Sequence, residues 1–188
     1  MAAQDQAPIG SGFHAKSTAA EVIQGIDLKG RNAIVTGGYS GIGLETVRAL
    51  ASAGARVTVP ARRPELAAEA LASVAGEIEI APMDLADLAS VRSFADHYAE
   101  TGRALHLLIN NAGIMACPLT RVGKGWESQF GTNHLGHMAL AMKLAPQLQA
   151  AEGARIVALS SIGHARSDVI WDDPHYTTRP YDKWEAYG

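Results

Sequence analysis

Thr36-Gly37-Gly38-Tyr39-Ser40-Gly41-Ile42-Gly43 follows a short apolar run, Asn32-Ala33-Ile34-Val35, and precedes a helical pattern from about Ile42 to Ala53. A strand, a glycine-rich turn and a helix in that order make a site for a phosphate. Free backbone N–H groups and the positive end of the helix dipole converge on the turn. Gly37, Gly41 and Gly43 suit a backbone that must approach a ligand or pack a helix closely on a strand.

Outward from this turn the same alternation repeats. Short strands are expected at Arg56–Val59, Glu77–Ile80, Leu105–Ile109 and Arg155–Leu159. Helices are expected from Pro64 to about Val74, over residues 87–101, and as one long helix from Trp126 to Ala150 that Pro146 kinks or ends early. Strands alternating with helices predict an α/β fold, a doubly wound parallel sheet covered on both faces. With the order 3-2-1-4-5, the first and fourth strands flank the point where strand order reverses, which is where such sheets bind ligands. Upstream, Thr18 and Glu21 form a capping-box pattern for a short helix ended by Gly25. Residues 1–27 therefore form a lead-in, flexible over 1–16, and residues 28–188 a single domain. The segment after Leu159 reads mainly as loop, with a helix starting near Tyr181.

Composition narrows the function classes. Of 188 residues, 47% are hydrophobic and 19% charged, as in an ordinary globular domain, and the net charge of −3 carries no basic footprint for nucleic acid. A single cysteine, Cys117, excludes a disulfide framework. No apolar run reaches bilayer length and the first 13 residues have no signal-peptide core, so a cytoplasmic, soluble protein is expected.

The turn excludes two phosphate binders. Gly38 to Gly43 fits the start of a P-loop, but Leu44-Glu45 stand where lysine and a hydroxyl residue are required. The pattern G-x-G-x-x-G fails at Thr46. A second cluster, Asn110-Asn111-Ala112-Gly113, sits at the carboxyl end of the fourth strand, where its asparagines can satisfy buried backbone or line a ligand.

With T-G-x-x-x-G-I-G, Asp84, Asn110-Asn111-Ala112-Gly113, Asn133 and Ser160-Ser161 in this order, the sequence resembles the short-chain dehydrogenase/reductase family, from about Leu28 onward. The stretch Leu119 to His137 is most similar to its retinol-dehydrogenase-like and bacterial oxidoreductase branch. The resemblance implies a Rossmann-like domain holding a nicotinamide dinucleotide. Gly37, Tyr39, Ser40, Gly41, Ile42 and Gly43 would carry its pyrophosphate. Asp84 and Leu85 would hold the adenine, and Asn111, Ala112 and Gly113 would line the ribose and floor. The second strand leads into Arg62 and Arg63, with no carboxylate before Glu65. Guanidinium there suits a 2′-phosphate, so NADP is expected in preference to NAD. The same arginines disfavour a methyltransferase, which needs an acid for a ribose diol.

The family pattern also implies Asn133 as the anchor of a water in a proton relay, Ser161 as the hydrogen-bond partner of the substrate carbonyl or hydroxyl, and a tyrosine opening Y-x-x-x-K as the acid. Position four after Tyr176 is Pro180, and after Tyr181 it is Glu185. Tyr187 remains as the candidate acid. A free tyrosine titrates near pH ~10 and needs a neighbouring lysine to work near neutrality. The chain has none there, since Lys183 lies four residues before Tyr187. The expected function is NADP-dependent interconversion of a carbonyl and an alcohol. The chain itself is expected to be a C-terminally truncated, inactive piece with its later strands missing and its fifth strand left as an apolar edge. A homo-oligomer is expected only of a full-length form. The alternative is a non-catalytic dinucleotide-binding or regulatory protein. No metal site is expected: Asp172-Asp173-Pro174-His175 reads as a solvated loop, and His134, His137 and His164 read as packing or loop residues.

Overall fold

The structure is a computed structural model and describes residues 10–188. Residues 1–9 of the expected lead-in lie outside the described residues. Helix α1 (Ala19–Ile23) opens with the expected capping box: Thr18 Oγ1 accepts from Glu21 N and Glu21 Oε2 accepts from Thr18 N, at 3.2 and 2.7 Å. Strand β1 (Asn32–Val35), helix α2 (Gly41–Ser52) and strand β2 (Arg56–Ala61) follow. Then come helix α3 (Pro64–Leu71), strand β3 (Glu77–Pro82), helix α4 (Leu88–Glu100) and strand β4 (Leu107–Asn110).

Strand β7 (Arg155–Ala158) completes a five-stranded parallel sheet of order β3-β2-β1-β4-β7, the predicted winding with β7 as the fifth strand. Side chains along β1 alternate between the two layers. Ala33 and Val35 pack with Val47, Leu50 and Leu71 under α2 and α3. Ile34 packs with Val91, Phe94, Tyr98 and Leu140 on the other face. All three β1 side chains are fully buried, as expected for a central strand covered on both sides. Strand β2 runs two residues further than predicted and includes Pro60. Its pairing with β1 ends at Thr58, so the missing proline N–H breaks no bond on that side. Among the described residues strand β7 pairs only with β4, and all four of its residues are exposed.

The largest departure lies between Trp126 and Ala150, where one long helix is expected. Strands β5 (Arg121–Val122) and β6 (Trp126–Glu127) form a small antiparallel hairpin instead. A π-helix (Phe130–Gly136), helix α5 (His137–Lys143) and helix α6 (Ala145–Gln149) follow. Pro146 lies in the first turn of α6, so the break falls just before it. A 3-10 turn (Ile162–Ala165) and helix α7 (Lys183–Tyr187) end the described chain, α7 being capped by Asp182.

Candidate functional site

An open cleft of about 1190 Å³ lies at the carboxyl ends of β1, β4 and β7. The turn Gly37–Gly43 forms one wall. Gly37 and Gly41 have φ of +65° and +51°, conformations that exclude most other residues. At Gly43, an added Cβ would strike Gly37 O and lie 2.5 Å from Asn111 Nδ2. Ser40 is the N-cap of α2, yet its hydroxyl makes no capping bond. The first turn of α2 is thus left without a side-chain acceptor beside the cleft. Tyr39 and Ile42 line the same wall, and Ile42 is 74% exposed.

Arg62 reaches the cleft beyond the end of β2, whereas Arg63 is outside its lining and serves as the backbone N-cap of α3. Asp84 and Leu85 line the cleft after β3. Asp84 Oδ1 already accepts from Ala86 N at 2.9 Å, and Asp84 N donates to Ser90 Oγ at 2.9 Å.

The floor is a ledge tied to β1. Asn111 Nδ2 donates to Thr36 O at 2.8 Å, and the amides of Asn111 and Ala112 donate to Thr36 Oγ1 at 2.9 and 3.0 Å. The adjacent asparagines therefore divide their work. Asn111 satisfies backbone, while Asn110, 8% exposed, faces the cleft with no partner for Oδ1 among the described residues. A buried amide oxygen without a partner is costly unless a ligand or water supplies one.

Asn133 lies in the π-helix and spends its amide on one residue: Oδ1 accepts from Ile114 N at 2.9 Å and Nδ2 donates to Ile114 O at 2.8 Å. Gly113 sits over this pair, its virtual Cβ 3.6 Å from Asn133 Oδ1. Ser161 caps the 3-10 turn by accepting from Gly163 N at 3.1 Å. Tyr187 borders the same end of the cleft, half-buried. A Cβ on Gly163 would lie 3.0 Å from two Tyr187 ring carbons and 3.4 Å from Ser161 Oγ, so ring and hydroxyl flank one small space. The cleft brings Asn133, Ser161 and Tyr187 together with the turn and the ledge.

Other residues, none given a site role in the sequence analysis, hold this end in place. Gln129, 1% exposed, accepts from Ala116 N at 2.7 Å and donates to Tyr181 Oη and Lys183 O, both at 3.0 Å. Tyr181 Oη donates to Cys117 O at 2.9 Å, which fixes the approach to α7; burial pushes that phenol up to about 12. Ala116 and Tyr176 adopt φ of +49° and +54°, strain that Gln129 and the Arg121 bond to Tyr176 O hold in place. The polar run Glu127-Ser128-Gln129, buried throughout in the structure, was the available signal, masked by its apparent membership of a long helix.

Asp173 corrects the reading of Asp172-Asp173-Pro174-His175 as solvated. It is 7% exposed, and its carboxylate accepts from the backbone and hydroxyls of Thr177 and Thr178 and from Arg179 N. These bonds, the Thr177 hydroxyl first, hold it far below the usual carboxylate range. Its role is to fold the 173–179 loop. Among the described residues, no group of three His, Cys, Asp or Glu side chains could hold a metal.

The short chain dehydrogenase family model matches residues 31–171. The chain belongs to the short chain dehydrogenase family. It is 50% identical over 168 residues, 87% of the chain and 56% of the relative, to a Streptomyces lividans protein named "Probable oxidoreductase". It is 44% identical over 144 residues, 74% of the chain and 46% of the relative, to "Retinol dehydrogenase 11" of Mus musculus. The branch expected from Leu119 to His137 is thus represented by both. The chain spans about half the length of these curated relatives. A crystal structure of a Mycobacterium paratuberculosis protein superposes with a TM-score of 0.81 at 39% identity, covering 91% of this chain and 60% of that one. The Pseudomonas aeruginosa RhlG/NADP active-site complex gives 0.66 at 30% identity, covering 86% and 62%. No helix among the described residues is long and apolar enough to cross a membrane.

Proposed function

We propose that the cleft binds NADP(H) and serves the interconversion of a small-molecule carbonyl and its alcohol. The observation that carries this reading is the convergence, in one cleft, of an uncapped helix start behind a glycine turn with Asn133, Ser161 and Tyr187. The residues fit such a cofactor. The turn offers unpaired N–H groups to a pyrophosphate, and the unpartnered Asn110 Oδ1 offers an acceptor on the floor. Family membership and the NADP bound by the P. aeruginosa neighbour support the choice.

Arg62 is the residue on this chain suited to a 2′-phosphate, because it alone of the arginine pair reaches the cleft. Bound nicotinamide would supply or accept the hydride. The chain's own part is orientation and proton handling. Ser161 Oγ directs a hydrogen bond at the substrate oxygen, and the Tyr187 hydroxyl delivers or removes the proton there. Asn133 braces the ledge through Ile114 and holds the site's geometry.

Fluorescence titration with NADPH and NADH tests the reading. NADPH should bind at least ~10-fold tighter than NADH, and Arg62→Ala should remove most of that preference, a change of about 1.4 kcal/mol. Tighter NADH binding, or a preference untouched by Arg62→Ala, contradicts it.

A further inference from the structure

His137 was expected to be a packing residue, and at 7% exposure it is buried, but both of its ring nitrogens are committed. Nδ1 lies 2.8 Å from Asn133 O, and Nε2 lies 2.9 Å from Thr36 Oγ1. A carbonyl oxygen can only accept, so Nδ1 must carry a proton. In the neutral ring Nε2 is then an acceptor, and Thr36 must donate to it.

The surroundings of Thr36 agree independently. Its Oγ1 accepts from Asn111 N and Ala112 N at 2.9 and 3.0 Å, which fills both lone pairs. Its proton has two possible destinations, His137 Nε2 at 2.9 Å and Ile109 O at 3.4 Å. Ile109 O already accepts from Thr36 N at 3.0 Å and shares the bifurcated Asn111 N–H, at 3.1 Å, with Thr36 Oγ1. The shorter, unoccupied acceptor is His137. An imidazolium would aim a second donor at an oxygen with no lone pair left. Burial, helped by the charge of His134 and opposed by the Asn133 bond, lowers the affinity of this ring for a proton.

We infer that His137 is a positioning residue that joins the floor of the cleft to the Asn133 backbone, and that it does so as the neutral Nδ1–H tautomer. The chain of bonds runs from Asn133 O through the imidazole to Thr36 Oγ1 and on to the amides of Asn111 and Ala112. It links the ends of β1 and β4 to the π-helix, three elements that otherwise meet at the cleft through separate contacts. This rests on the proposed cofactor reading only for its consequence, namely that a loosened ledge binds NADPH more weakly.

Two measurements test it. In the 15N-labelled chain at pH 7.5, long-range 1H–15N spectra should show His137 with Nδ1 protonated and Nε2 bare. A ring protonated at Nε2, or at both nitrogens, overturns the inference without any reference to cofactor. Thr36→Val, His137→Phe and the double variant then form a cycle read by NADPH titration and by circular dichroism. Each single change should weaken binding about tenfold, with the double variant little worse than the poorer single. His137→Asn, which restores a donor near the Nδ1 position, should recover part of the loss that His137→Phe causes. Losses that multiply, or no loss in folded variants, overturn it. If the wild-type chain binds no NADPH, the cofactor reading fails, and the tautomer still decides the network.

Discussion

At the scale of single residues, the glycine turn and the ledge are one packed unit. Gly43→Ala should drive Cβ into Gly37 O, costing about 1–3 kcal/mol in urea unfolding and weakening NADPH binding; a neutral substitution would mean that the turn gives way freely. One buried imidazole, His137, and one half-buried, His106, set a pH dependence. Burial lowers the proton affinity of His106, helped by Arg31, as its Nδ1 accepts from Asn32 N at 3.0 Å, and His137 is lowered for the same first cause. A histidine depressed on folding contributes stability that is present in full above its unfolded pKa of about 6.5 and lost as pH falls through its folded value. The urea midpoint should therefore drop between pH 7.5 and 5, before the carboxylates titrate, and a flat profile would count against both assignments. The glycines were legible in the sequence because their requirement is local, a matter of backbone shape within eight residues. Thr36 and His137 were not, because their partners lie 75 and 101 positions away and a buried histidine on an apolar helix face looks like packing.

At the scale of elements, the strands and the first three helices behind the sheet were readable because each shows one period and a clear stop. The stretch from Trp126 to Ala150 was misread. Its apolar spacing continues smoothly through a hairpin strand, a π-helix and two short helices, and the extra residue per π turn leaves no mark in composition. What holds α5 and α6 in line is the stripe Leu140, Leu144 and Leu148, of which the first two are fully buried. Leu144→Ala should cost about 2–5 kcal/mol by chemical denaturation despite its place at the helix break, because the cavity opens between α4 and the sheet. A loss under about 1 kcal/mol would show that the break lets the site collapse. The loop before α7 depends on Asp173 in the same way. Asp173→Ala should raise amide exchange at Thr177, Thr178 and Arg179 while leaving β1 and β4 protected. Equal exchange in both proteins would leave the loop without the proposed anchor.

At the scale of the whole molecule, the sheet order followed from the sequence because right-handed crossovers leave few alternatives once five strands and their helices are recognised. The same order leaves β7 at an edge. Ile156, Val157 and Leu159 are 53%, 44% and 45% exposed beside a row of unpaired backbone groups. Such an edge invites pairing with another strand, so the 188-residue chain should self-associate with rising concentration, and Val157→Lys should suppress this in sedimentation runs. Concentration-independent monomers would refute the expectation. The cleft formed at the centre of the sheet is the account's main claim, and hydrogen exchange with and without NADPH addresses it most directly. Binding should protect the amides of Gly37 to Gly43 and of Asn111 to Gly113 together, with little change at β7. Protection confined to other segments, or none at saturating NADPH, would contradict the assignment of the cleft.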